Sequence, residues 1–188
     1  IREIDFAPFR MRVTTDRYHS RDYAEAEREN MWMRVWQVAG RADEVAEAGD
    51  WMEYKLFDQS YVLVRQKDGS VRPCVNPCRH RGNAFCEGKC SSARFTCPYH
   101  NWAYGLDGRL MGVPQFRQLY EGVLDKADWP LVEVPKLALY KGTVWATWDP
   151  SAPPFLDYIG GYKLYLDLLL DAWDGREGGT EVIGGIHK

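Results

Sequence analysis

The chain has 188 residues, 45% of them apolar and 27% charged, with a formal net charge of −3. That is long and apolar enough for one substantial core, which excludes the hydrophobe-poor, charge-rich composition of a disordered chain. The charges form no basic face for phosphate backbones, which excludes nucleic acid as a partner, and no run of about eighteen apolar residues offers a membrane span.

Eight Trp in an aromatic share of 14% point to broad, flat packing surfaces. The N-terminal stretch lacks the basic-then-apolar layout of a secretion signal, and five irregularly spaced cysteines suit a reduced compartment better than a disulfide framework. A cytoplasmic protein without a membrane partner is therefore expected. The opening Ile1 and the abrupt stop at Gly184-Gly185-Ile186-His187-Lys188 read as cuts inside a longer chain.

Ser20 is placed to cap a helix from Arg21 to Trp36, with Met31, Trp32, Val35 and Trp36 docking its aromatic end on a core. From Trp51 the pattern changes to short strands. Trp51 to Phe57 and Tyr61 to Arg65 are predicted strands, and Lys67-Asp68-Gly69-Ser70 a hairpin turn into Val71 to Asn76. Leu106-Asp107-Gly108-Arg109 marks a second hairpin. A third joins Leu137 to Tyr140 with Thr143 to Trp148 through Lys141-Gly142.

Asp149 to Pro154 forms a stiff exit linker, after which Tyr162 to Trp173 is predicted helical, with Leu164, Tyr165, Leu168, Leu169 and Ala172 on one side. The fold class is therefore mainly β: a small antiparallel domain over 39–150, between an N-terminal helical arm over 1–38 and a C-terminal piece over 151–188.

The chemistry is concentrated in Cys78-Arg79-His80-Arg81-Gly82 and Cys97-Pro98-Tyr99-His100, a C-x-H-x16-C-x2-H pattern. Each loop supplies one thiolate and one imidazole. Facing loops can put both cysteines on one iron and both histidines on the other, the ligand set of a Rieske-type [2Fe–2S] cluster. Neutral imidazoles in place of two thiolates raise the potential, and the ring nitrogen turned away from iron can hydrogen-bond to whatever docks there. Two Cys and two His also make a structural zinc site, but zinc modules usually pair Cys with Cys and His with His.

Gly82 and Pro98 would shape the ligand loops, one through a permissive φ and the other through a fixed one. Arg81, Gly82 and Trp102 are candidates for the shell around the cluster. Trp102 and Tyr104 serve equally well as shields against water or as plain core aromatics. Cys74, Cys86 and Cys90 have no second ligand pattern around them and default to buried free thiols.

These two segments, with Asn101-Trp102-Ala103-Tyr104 after the second, resemble the Rieske motif of aromatic-ring-hydroxylating oxygenase α subunits. Trp36-Gln37-Val38-Ala39-Gly40, Gly49-Asp50-Trp51, Leu106 to Leu110 and Val113-Pro114 are similar to that family as well. Respiratory-chain Rieske proteins carry an extra cysteine in each loop, where this chain has Asn83 and Tyr99, which favours the oxygenase branch. Asn101 stands where oxygenases often have Gly, and Asn tolerates a left-handed backbone.

The resemblance implies an electron relay. A reductase or ferredoxin reduces the cluster, which feeds a mononuclear non-haem Fe(II) that uses O2 to hydroxylate an organic, aromatic or alicyclic, substrate. It implies a homotrimer, alone or with β subunits, in which electrons pass to a neighbouring α subunit. It also makes the flanking helices outlying pieces of a larger α+β catalytic domain. The iron's 2-His-1-carboxylate triad needs two further histidines, and only His19 and His187 remain. They are not spaced as ligands, so no catalytic residue is expected in this segment. A freestanding Rieske ferredoxin would account for the cluster but not for the flanking segments.

Overall fold

The computed structural model describes residues 15–56, 59–85 and 87–171. Phe57, Cys86, Ala172, Trp173 and His187 lie outside the described residues, so the expectations made for them have no structural counterpart here.

The chain enters through a short helix α1 (Asp16–His19) and α2 (Arg21–Glu27), which continues as a π-turn over Arg28–Trp32. The helix predicted to reach Trp36 thus stops four residues early. Met33 donates its N–H to the Arg28 carbonyl, an i to i−5 closure, and Arg34 Nε caps the Glu29 carbonyl at 3.0 Å. These bonds satisfy carbonyls that the ending helix leaves orphaned. Ser20 does occupy the N-cap position, with extended backbone, but its side chain makes no capping bond. Trp36 docks from beyond the helix end: it meets Phe155 edge-on at 5.5 Å and its Nε1 donates to the Pro153 carbonyl.

Ten strands follow in three antiparallel sheets among the described residues. The first sheet joins the two ends of the domain. Strand β1 (Gln37–Arg41) pairs with β10 (Thr143–Thr147), which pairs with β9 (Lys136–Tyr140). Lys141 and Gly142, at φ +46° and +78°, make the two-residue turn between β9 and β10, as the Lys-Gly signal predicts.

The second sheet has the order β4-β3-β2-β5, from β2 (Asp50–Leu56), β3 (Gln59–Arg65), β4 (Val71–Val75) and β5 (Lys89–Ser91). It lies between two cores, which explains why Tyr61-Val62-Leu63-Val64 runs apolar without alternation. Tyr61 and Leu63 pack on one side with Ala39, Val45, Val144 and Ala146. Val62 and Val64 pack on the other with Phe95, Trp102 and Tyr104. Each buried aliphatic side chain here contributes roughly 1.5–3 kcal/mol.

The third sheet is small and carries half of the site: β6 (Phe95–Thr96), β7 (Ala103–Tyr104) and β8 (Leu110–Gly112). Leu106 to Arg109 turns β7 into β8, with Gly105 N–H to Arg109 carbonyl at 2.9 Å and Gly108 at φ +82°.

The Asp149 to Pro154 linker is pinned rather than free-standing. Asp149 Oδ1 accepts from the Ser151 N–H at 2.8 Å, and Lys136 donates to the Ala152 carbonyl. After α3 (Phe116–Tyr120), which lies between β8 and β9, helices α4 (Phe155–Ile159) and α5 (Lys163–Leu170) follow the linker. The predicted stripe of Leu164, Tyr165, Leu168 and Leu169 does share one side of α5, but that side is exposed; Leu166 and Leu170 are the buried pair. Six apolar residues in an eight-residue helix let periodicity define a stripe without saying which side docks.

Candidate cluster-binding site

Two loops of the same backbone design form the site. In the first, Pro77 bridges Ala84, Cys78 N–H donates to the Asn83 carbonyl at 2.9 Å, and Gly82 N–H returns to the Cys78 carbonyl at 2.8 Å. In the second, Thr96 pairs with Ala103, Cys97 N–H donates to the Trp102 carbonyl at 2.9 Å, and Asn101 N–H returns to the Cys97 carbonyl at 2.9 Å. Each cysteine thus opens a turn that closes on a left-handed residue four positions on, Gly82 at φ +70° and Asn101 at φ +56°. The left-handed Asn101 expected from the sequence is observed. The histidines sit at different steps, two after Cys78 and three after Cys97.

The first loop is anchored by a residue the sequence reading did not single out. Asn76 is fully buried; its Nδ2 donates to Ser60 Oγ at 2.8 Å and its Oδ1 accepts from the Phe85 N–H at 3.0 Å. A lone Asn beside a ligand loop carries no spacing signal that could have revealed this.

The loops bring the four predicted residues together as two pairs. Cys78 and Cys97 are buried and their thiols are mutual neighbours. Burial raises the Cys78 thiol above its ordinary range, against the His80 N–H and the Tyr104 hydroxyl, which favour the thiolate. The His80 and His100 rings meet edge to face, 4.7 Å between centroids. Burial, with His100 and Arg81 close by, holds His80 below the usual imidazole range and so in the neutral form that ligates metals.

The Nδ1 atoms of both His80 and His100 are buried without a hydrogen-bond partner, although each ring is partly exposed. Two buried nitrogens at one place, both unsatisfied, are costly unless something else takes their lone pairs. The donor set of two thiols and two neutral imidazoles suits a mixed Cys/His iron–sulfur cluster. Among the described residues, no group of three or more His, Cys, Asp or Glu side chains is arranged to hold a single metal ion.

Trp102 and Tyr104 are core residues that also touch the ligand candidates. Both are buried; Trp102 lies flat on His80, and the Tyr104 oxygen is 3.6 Å from Cys78 Sγ. Gly82 and Arg81 are exposed beside His80. Cys74 is fully buried in β4, where burial pushes its thiol up to about 12, and Cys90 is partly buried in β5 opposite Trp51. His19 lies on the exposed helix α1, 3.8 Å from Asp16.

Residues 35–135 match the Rieske [2Fe-2S] domain family. The chain belongs to that family, and it is similar to the α subunits of ring-hydroxylating dioxygenases. It is 39% identical over 165 residues to biphenyl 2,3-dioxygenase subunit alpha of Rhodococcus jostii, an alignment covering 87% of this chain and 35% of that protein. It is 37% identical to a benzene 1,2-dioxygenase subunit alpha of Pseudomonas putida, covering 91% of this chain and 37% of the relative.

Among solved structures, naphthalene 1,2-dioxygenase from Rhodococcus sp. bound to indole superposes with a TM-score of 0.83 at 34% identity, over 92% of this chain and 39% of that one. A quaternary ammonium Rieske monooxygenase, described in terms of carnitine oxidation and inter-subunit electron transfer, gives 0.75 at 27% identity, over 84% of this chain and 43% of that one. The chain therefore spans little more than a third of the curated relatives it matches. The mainly β, antiparallel Rieske fold expected from the sequence is the one observed. Among the described residues, no helix is long and apolar enough to cross a membrane.

Proposed function

We propose that this chain is the electron-relaying part of a ring-hydroxylating oxygenase α subunit, with Cys78 and Cys97 holding one iron of a Rieske [2Fe–2S] cluster and His80 and His100 the other. The observation that carries the reading is the pair of buried, unpartnered Nδ1 atoms on His80 and His100, set beside two neighbouring buried thiols. When bound, such a cluster supplies one-electron chemistry at a potential raised by its neutral imidazoles.

The chain's own residues do the rest. Tyr104 places a donor at the Cys78 sulfur, Trp102, braced by Trp129, keeps water from one face of His80, and the partly exposed histidines offer their Nε2 edges as the side where a redox partner docks. The donor partner is a reductase or ferredoxin. The acceptor is a mononuclear non-haem Fe(II) in a catalytic domain outside this segment, where O2 and the substrate meet. The names of the relatives favour an aromatic substrate, and the inter-subunit transfer described for the monooxygenase favours an acceptor in a neighbouring α subunit, for which the assembly proposed is a homotrimer, alone or with β subunits.

In this reading, 39–150 is the electron-transfer unit, and 1–38 and 151–188 are outlying pieces of the catalytic domain. The exposed apolar side of α5 supports that assignment. The localisation that fits is cytoplasmic.

The test is anaerobic purification with iron and acid-labile sulfide assays, then EPR after dithionite reduction. Two irons and two sulfides per chain with a rhombic signal of low average g are expected. A colourless, EPR-silent protein containing zinc would overturn the proposal.

A further inference from the structure

The two histidines are held in different ways. The Trp102 indole lies flat against the His80 ring, 4.8 Å between centroids and 7° from parallel. Trp102 is 2% exposed, and it is braced edge-on by Trp129 at 5.7 Å and by Tyr120 at 6.0 Å. The Arg79 guanidinium covers Trp129 in turn, 5.9 Å from its ring. His80 therefore rests against a ring that cannot move without disturbing the core that also contains Cys78, Cys97 and Phe95. Among the described residues, His100 has no such backing, and its ring neighbours besides His80 reduce to Tyr99, tilted by 36° at 3.8 Å; Tyr99 is 57% exposed.

We infer that Trp102 is a positioning residue that fixes the plane of the His80 imidazole, so that the two histidine ligands are held unequally, His80 by the core and His100 by a surface ring. The inference rests on the cluster assignment above. Its physical basis is simple. A ligating imidazole can still rotate about its bond to the metal, and a parallel indole leaves it one plane. A ring in a fixed plane keeps both its inward nitrogen and its outward N–H aimed. Tyr99, being exposed, gives His100 a looser seat that can yield when a partner docks.

The experiment uses the cluster-loaded chain, with 15N-labelled histidine, and compares wild type with Trp102→Phe and Trp102→Leu. Pulsed EPR of the reduced protein resolves the couplings of the two histidines, and Mössbauer spectra separate the His-bound from the Cys-bound iron. Trp102→Phe keeps a flat ring and is expected to preserve both histidine couplings. Trp102→Leu keeps bulk without a plane. It is expected to broaden or shift one histidine coupling and the His-bound iron, leave the other histidine and the Cys-bound iron in place, and release iron roughly two- to tenfold faster, the ratio one lost ring-stacking contact gives.

If the leucine variant shows both couplings unchanged, or if both irons shift together as in a generally loosened core, the inference is wrong. If Trp102→Leu does not fold, Trp129→Leu removes only the brace and should broaden the same single coupling; no change there would also overturn it. Failure of the underlying assignment looks different, because the wild type itself would then carry no Rieske signal.

Discussion

Gly82 and Asn101 occupy the same place in two congruent turns, each four residues after a cysteine and each left-handed, at φ +70° and +56°. A Cβ added at Gly82 would meet nothing within 4 Å, so any penalty for substitution there comes from the backbone and not from crowding. Gly82→Asn should therefore retain full iron and sulfide, copying the other loop. Gly82→Val and Asn101→Val should each cost about 1–2 kcal/mol, the price of a left-handed conformation for a side chain without a local hydrogen bond. Thermal unfolding together with iron content checks this. Equal stability of the Val and Asn variants would show that φ is not what selects these residues.

Tyr104 bears on the same site from the core. Its hydroxyl is 3.6 Å from Cys78 Sγ, and a donor to a ligand sulfur stabilises the added electron. Tyr104→Phe leaves the ring in place and removes the donor. The reduction potential should fall by roughly 30–60 mV, equivalent to about 1 kcal/mol for one electron. Voltammetry on the purified chain measures it, and an unchanged potential would mean that the hydroxyl donates elsewhere.

Removing ligands should sort the cysteines into two groups. Cys97→Ser and His100→Ala are expected to yield protein without the full two irons. Cys74→Ala and Cys90→Ser should keep full iron and sulfide, because Cys74 is sealed in β4 with its thiol pushed up to about 12 and Cys90 sits in β5, opposite Trp51. The Cys74 change should cost about 1 kcal/mol of stability from lost packing. Iron lost from Cys74→Ala while the fold persists would place that sulfur in the site.

What could be read from the sequence was local. The cysteine and histidine spacing gave the four residues that the structure brings together, and Asp68-Gly69, Asp107-Gly108 and Lys141-Gly142 marked turns that exist. Features that depend on distant partners were not legible. Gln37 pairs with Ala146 across the whole domain, Trp102 is braced by Trp129 from a later segment, and Asn76 ties a ligand loop to Ser60. The helix after Ser20 gave a start signal but no end signal, since its end depends on Met33 and Arg34 closing on earlier carbonyls. The apolar positions of α5 could not show that Leu166 and Leu170, and not Leu164 and Leu168, face the core.

The docking of α5 carries a pH dependence that can be read without touching the cluster. Asp167 receives Lys163 Nζ at 2.6 Å, the Tyr140 hydroxyl, and Lys141 Nζ at 2.9 Å, which together hold its carboxyl well below the usual carboxylate range. Lys141 also reaches Asp171 and is raised above its ordinary range by Asp171 and then Asp167. For Asp167 the folded value lies below the unfolded one, so its contribution is present above about pH 4 and is lost as pH falls toward the folded value. Lys141 is the mirror case: its contribution is complete below about pH 10 and is lost as pH rises through the raised folded value. Between those limits the helix should be held evenly. Asp167→Asn should therefore lower the hydrogen-exchange protection of the α5 amides at pH 7 while leaving the EPR spectrum unaltered. The gap between variant and wild type should begin to narrow as pH falls below about 4, where the undocked carboxyl takes up its proton, and close only as pH falls through the lowered folded value. Equal protection of the two proteins at pH 7 would mean that burial of Leu166 and Leu170 alone holds this helix in place.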